Sequence, residues 1–166
     1  IVTQSGKAKA VKPNLAMHFE NDLIVLEKWK ANKPISVIYF DGEKERYYVK
    51  RFVIEVPEKE EIFISEHPKS QLEIVATDYR PLAEVFYSKR SLANEKVDFE
   101  KFISVKGIKA QGNQLTTEKI KPVNLLEPLP FEEIAETSLE TVPVIYEEVV
   151  EEKRSVPISK SDIGAA

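Results

Sequence analysis

The sequence predicts an all-β domain built from repeated antiparallel hairpins in a propeller-like or pinwheel arrangement, followed by an acidic tail. Three observations carry this prediction. Segments 1–12 around Gly6, 35–51 around Gly42 and 102–115 around Gly107 share one pattern: an apolar strand, an X-Gly turn and a return strand bearing cations. Glycine tolerates the backbone angles that tight reversals need, so each position reads as a turn. The charge then changes sharply near residue 125, where proline and glutamate replace the alternating pattern.

Residues 1–11 read as a hairpin reversing at Ser5-Gly6, with Lys7 and Lys9 alternating with Ala8 and Ala10 so that both cations share one face. Pro13-Asn14 ends that strand. Residues 15–19 are either one helical turn or a connecting loop. Leu23-Ile24-Val25-Leu26 reads as a short buried strand, and Trp29 as a cover for one end of the core. Residues 35–55 form the clearest hairpin, reversing at Asp41-Gly42 and returning through β-branched and aromatic residues. Lys50 and Arg51 are adjacent on that return strand, so their side chains point to opposite faces. One of them is expected at an edge or bulge, or snorkelling its charge outward.

Residues 62–65 are a shorter strand candidate, and 72–76 and 82–87 are two strands bracketing a turn marked by Pro81. Residues 102–115 then read as a basic hairpin with reversals at Lys106-Gly107 and Gly112-Asn113. From Asn124 onward Pro128, Pro130, Pro143 and Pro157 punctuate an acidic stretch that reads as mostly disordered, with 142–150 a weak edge-strand candidate. The predicted domains are therefore residues 1–124, β-pinwheel-like, and 125–166, an acidic Pro-rich tail. The unequal glycine spacings of 36 and 65 residues fit units of four strands. An ordinary all-β domain with several glycine hairpins would show the same pattern.

Composition excludes several classes of function. No apolar run approaches the roughly 18 residues of a membrane span, and no signal peptide is visible. The absence of cysteine removes disulfides and thiolate metal sites. His18 and His67 have no second ligand at metal spacing, no glycine-rich nucleotide motif occurs, and the six tyrosines read as strand or core aromatics. The chain opens on Ile1 in mid-pattern and is expected to be a fragment of a longer protein. The net charge of −4 is the sum of +3 over residues 1–124 and −7 over 125–166. An acidic total thus coexists with a neutral-to-basic folded part, which is compatible with a polyanion partner.

Tyr48-Val49-Lys50-Arg51-Phe52 after an Asp-Gly turn, Glu66-His67-Pro68-Lys69-Ser70, and the run from Phe102 to Thr117 carry a family resemblance. Together, over roughly residues 1–130, they resemble the C-terminal domain of the A subunit of bacterial type II topoisomerases, in the form typical of Bacteroidetes topoisomerase IV. The resemblance implies a β-pinwheel of four-stranded blades whose basic rim binds and bends double-stranded DNA. It implies as partners the rest of a dimeric A subunit and the ATPase B subunit. No cofactor is implied for this fragment, Mg2+ and ATP serving the parent enzyme, and the setting implied is cytoplasmic and nucleoid-associated, away from membranes. No Gln-Arg-Arg-Gly-Gly-Lys-Gly box is present, which favours decatenation and relaxation over supercoiling. The length points to a partial or broken pinwheel of two or three blades.

The family's catalytic tyrosine and metal-binding carboxylates lie outside this fragment, so no catalytic or metal residue is assigned. The DNA-binding candidates are Lys7, Lys9, Lys12, Lys44, Arg46, Lys50, Arg51, Lys106, Lys109, Lys119 and Lys121, which fall at or after turns in three units. Gln111 and Asn113, with Gln114, are candidate donors to phosphate oxygens. Lys101 adds to the basic character of the third segment. On this reading the acidic tail competes with DNA for the rim. The alternative is a β-rich protein–protein interaction module, with the tail as its contact and no DNA binding; a hydrolase has no supporting constellation.

Overall fold

The computed structural model describes residues 1–131. The chain divides into residues 1–129 and 130–166, and the described fold is that of the first unit. The tail beyond Phe131, with the strand candidate at 142–150, lies outside the described residues.

The longest strands, β4 (Ile35–Asp41) and β5 (Arg46–Phe52), form a seven-residue antiparallel ladder from Ile35↔Phe52 to Asp41↔Arg46. Both are buried on two faces. Their pleat sends Val37, Tyr39, Tyr48 and Phe52 into one apolar core and Ile38, Tyr47 and Val49 into a second. β10 (Asn113–Thr116) pairs with β5, and β7 (Gln71–Ala76) pairs with β4, completing a four-stranded sheet of order β10-β5-β4-β7. On one side of it lies the core shared with β1 (Val2–Thr3) and β2 (Lys7–Ala8), whose sheet runs β3-β1-β2-β6 with β3 (Leu23–Val25) and β6 (Glu61–Ile62). On the other lies the core shared with the third sheet, β11-β8-β9, formed by β8 (Leu82–Val85), β9 (Glu95–Asp98) and β11 (Asn124–Leu125). Full burial of a Val, Ile or Phe contributes about 1.5–3 kcal/mol, so these two cores supply the main cohesion.

The sheets are interlocked. A hairpin founds each one: β1–β2, β4–β5 and β8–β9. The chain makes the second hairpin before returning with β6 to complete the first sheet, and the third hairpin before returning with β10 to complete the second. None of the three sheets closes on itself. The architecture is thus all-β and that of a broken pinwheel.

Several expectations are corrected. Residues 102–115 do not form a hairpin: Phe99–Phe102 is one helical turn, α1, and the following segment is irregular up to β10. The Ile103 side is held by α1 and by Lys106 N–H donating to Arg51 O (2.9 Å), and the pairing partner of β10 is β5. The third hairpin is instead β8–β9, whose long connection contains no glycine. Strands β7 and β8 flank Pro81 without pairing, so the turn is a crossover between sheets. The run at 23–26 is an edge strand, with Ile24 and Leu26 exposed. Trp29 is 43% exposed and stands in the wall of a groove lined also by the core residues Val2, Ala10 and Ile54.

Glycine matters where geometry demands it. Gly112 has φ +89°, and a Cβ there would collide with Val49 O, because this residue lays β10 against β5. Gly107 has open space where a Cβ would stand and no positive φ. Gly112→Ala should therefore lower unfolding free energy by about 2 kcal/mol or more, while Gly107→Ala should leave it within about 1 kcal/mol of wild type. Urea unfolding of both variants checks this, and equal effects would remove the assigned difference.

Candidate nucleic-acid interface

The β4–β5 loop is shaped by Asp41, whose Oδ1 accepts the backbone N–H groups of Glu43 (3.0 Å) and Lys44 (3.2 Å). This Asx-type turn replaces the expected glycine reversal, and the left-handed residue is Glu45 (φ 53°). Gly42 is needed for space: a Cβ there would lie 2.6 Å from His67 Nδ1 and Lys69 Cβ.

Pairing of β10 with β5 brings Gln111 and Gln114 beside this loop, about 70 residues along the chain from it, and Asn113 beside Lys106. Lys44 Nζ donates to Gln111 Oε1 (2.7 Å), Arg46 Nη1 to Gln114 Oε1 (3.0 Å) and Lys106 Nζ to Asn113 Oδ1 (3.3 Å). Gln111 Nε2 donates to Asp41 Oδ2 (3.4 Å), Asn113 Nδ2 to Phe102 O (3.3 Å), and the Tyr39 hydroxyl to Gln111 O (2.6 Å). Lys44, Arg46, Gln111 and Gln114 thus form one surface network anchored on buried Asp41 and Tyr39, with Arg46 Nε donating to Lys44 O (3.2 Å), while Lys106 and Asn113 form a separate pair near Arg51, farther along β5. Burial raises the Tyr39 phenol above its ordinary pKa, so the hydroxyl remains a donor. Glu43 and Glu45 lie on the same loop and moderate its charge.

Other sequence candidates lie in different surroundings. Lys50 and Arg51 are 2% and 5% exposed, and neither reaches an edge, sits in a bulge or snorkels, contrary to expectation. Lys50 Nζ donates to Phe63 O (2.8 Å) and Ile108 O; Arg51 donates through Nε to Ser36 Oγ (3.2 Å) and through Nη2 to Tyr79 O (2.7 Å). Their hydrogen-bonding capacity is directed inward, which explains why two adjacent cations on a central strand are tolerated. Lys7 pairs with Glu60 (3.6 Å), and Lys12 N–H donates to Glu58 (3.1 Å). Lys109 borders a cleft of about 430 Å3 that also presents Glu60, Glu61 and Glu66. Lys119 and Lys121 are exposed beside the third sheet, where the Lys119 carbonyl accepts Ser88 N–H (2.9 Å) and Lys121 N–H donates to Phe86 O (2.7 Å). Lys9 borders a separate apolar groove next to the first sheet.

Sequence reading missed the carbonyls of Phe63, Tyr79 and Ile108 as cation partners, since backbone acceptors carry no residue signature. It also missed Lys28, Lys30 and Lys33, although their spacing around the single tryptophan was visible. No described helix is long and apolar enough to cross a membrane.

Interlocked open sheets with a cation–amide patch on one loop and the adjoining sheet edge define an all-β module of the broken-pinwheel type. Residues 1–127 match the family described as Topoisomerase C-terminal domain, Bacteroidota, and the chain belongs to that family. Searches of curated proteins and of solved structures returned no significant match.

Burial pushes the Lys50 ammonium down to about 8 from its ordinary value near 10.5. Between those values the unfolded chain holds a proton that the folded chain has released, so stability attributable to this group rises with pH. Lys50→Met leaves the Phe63 and Ile108 carbonyls without their donor and should cost about 1–3 kcal/mol near neutrality. The wild-type advantage over Lys50→Met should widen from pH 8 to 10 in urea titrations. A constant difference would contradict the depressed value.

Proposed function

We propose that this domain binds duplex DNA as the non-catalytic C-terminal part of a type II topoisomerase A subunit, and bends it toward a strand-passage core. The observation that carries the reading is the Lys44–Arg46 network on the exposed edge of the β5–β10 pair, with the separate Lys106–Asn113 pair farther along the same strands, in a chain of topoisomerase-domain family. Its amides hold the cations in position. The Gln114 amide nitrogen has no partner among the described residues, so it is available to a phosphate oxygen.

This arrangement suits backbone contact without base readout, because lysine ammonium and arginine guanidinium groups recognise phosphate charge. Lys119 and Lys121 extend the exposed positive surface near the third sheet, and Lys7, Lys9, Lys12 and Lys109 contribute long-range attraction. Lys50 and Arg51 serve the interior. Bending a short site costs a few kcal/mol, which several phosphate contacts must offset. In this reading Mg2+ chemistry and ATP hydrolysis belong to other parts of the parent enzyme, the latter to its B subunit. The absence of a glycine-rich basic box favours decatenation and relaxation, and the setting is the bacterial nucleoid.

Affinity for a mixed-sequence duplex should fall steeply between 50 and 200 mM salt, by a factor on the order of ten per two phosphate contacts. Exchanging Lys44, Arg46 and Lys106 together for glutamate should weaken binding by at least about tenfold on every sequence tested and flatten the salt slope. Fluorescence anisotropy checks both. Unchanged affinity would remove the patch from the interface, and no binding even at 50 mM salt would favour a protein–protein module.

A further inference from the structure

Beside the first sheet, the loops at 13–19 and 26–34 enclose a groove of about 520 Å3. Its floor comes from the sheet and its surroundings, including Val2, Ala10, Val25 and Ile54. Phe19, Leu26 and Trp29 form its walls while remaining 43%, 59% and 43% exposed. Side chains of this size standing together in water are the usual mark of an unsatisfied contact surface.

The rim is cationic. Lys9, Lys28, Lys30 and Lys33 border the groove, and among the described residues none of them forms an ion pair. Lys30 and Lys33 hold their ammonium groups 5.8 and 5.5 Å from the centre of the Tyr79 ring, an arrangement that leaves both charges uncompensated. The one acid in the lining, Glu27, accepts a hydrogen bond from the Thr77 hydroxyl (2.7 Å). An apolar interior inside an unbalanced positive rim specifies its ligand by chemistry: an apolar body carrying negative charge at its edges.

We infer that this groove is a docking site for an acidic peptide segment of a partner protein, inserting an aliphatic or aromatic anchor against Trp29 and Phe19 while its carboxylates meet the lysine rim. Charge complementarity identifies the acidic flanks, and the apolar walls identify the anchor. Duplex DNA fits less well, because its accessible edge offers phosphate and sugar with no apolar side chain to fill the space. The surface is distinct in chemistry from the cation–amide network, whose adjoining cleft presents Glu60, Glu61 and Glu66 in place of a lysine rim. The inference therefore stands or falls independently of DNA binding at that network.

Trp29 is the only tryptophan in the chain, so its emission reports occupancy directly. The probe is the peptide acetyl-Glu-Glu-Ile-Phe-Glu-Glu-amide, titrated into the full chain. Binding should shift Trp29 emission to shorter wavelength and protect it from iodide quenching. The analogue with glutamine for every glutamate, and the analogue with alanine for the Ile-Phe anchor, should each bind about tenfold or more weakly, ~1.4 kcal/mol. Lys30→Glu with Lys33→Glu should reduce affinity by a similar factor, and the milder Lys28→Gln should produce a smaller loss should the double variant not fold. Duplex affinity of the folded variants, measured separately, should fall far less than for the Lys44, Arg46 and Lys106 variant. No emission change with the acidic peptide, or equal binding of all three peptides, would overturn the inference. So would a duplex oligonucleotide that alone produces the shift, or concentration-dependent dimerisation that Trp29→Glu abolishes.

Discussion

Two adjacent cations on opposite faces of one buried strand fix how the three sheets are set around the two apolar cores. Lys50 faces the core under the first sheet and reaches the Phe63 carbonyl beyond β6 and the Ile108 carbonyl in the connector before β10. Arg51 faces the core under the third sheet and reaches Ser36 on β4 and the Tyr79 carbonyl in the crossover to β8. A buried charge is costly unless its donors are satisfied, so each cation holds backbone carbonyls in place that would otherwise turn elsewhere. The strand carrying both is consequently the point at which all three sheets are referenced to one another.

That constraint continues in the surrounding network. Arg80, one residue beyond the carbonyl that Arg51 engages, pairs with Asp98 (2.9 Å) and Glu100 (3.0 Å), fastening the crossover to the end of β9 and the start of α1. The Arg80 guanidinium beside Asp98 holds that carboxyl below the usual carboxylate range. Farther along, Ile108 enters the first core and Ile103 the second, so the connector from 103 to 112 spans the sheet between them. Its end, at Gly112, delivers β10 to β5. The exposed Lys44–Arg46 network is a by-product of that delivery, since its amide partners Gln111 and Gln114 arrive with β10, which also brings Asn113 to Lys106.

Strand patterns with strong local punctuation were legible from sequence. The hairpins at Gly6 and at Asp41-Gly42 formed as expected, because alternating apolar residues and a turn residue are local signals. The third hairpin was displaced in sequence reading from 82–98 to 102–115. Its real connection has no glycine, whereas Gly107 sits in an unconstrained bend that resembles a reversal. The pairing of β6 and β10 with earlier hairpins could not be read locally, since strand exchange depends on which edges remain available after other hairpins have formed.

By itself the sequence determined an all-β chain without thiolate chemistry, a basic-leaning body with an acidic tail, and a family likeness later met by the match over residues 1–127. Tertiary structure decided what each cation does. Lys44 and Lys50 are the same residue type on the same hairpin, yet one ammonium lies at the surface on Gln111 and the other in the interior on main-chain carbonyls. Residue type conveys charge, but solvent access and the nearest acceptor are set by packing between segments far apart in the chain, which no local pattern encodes.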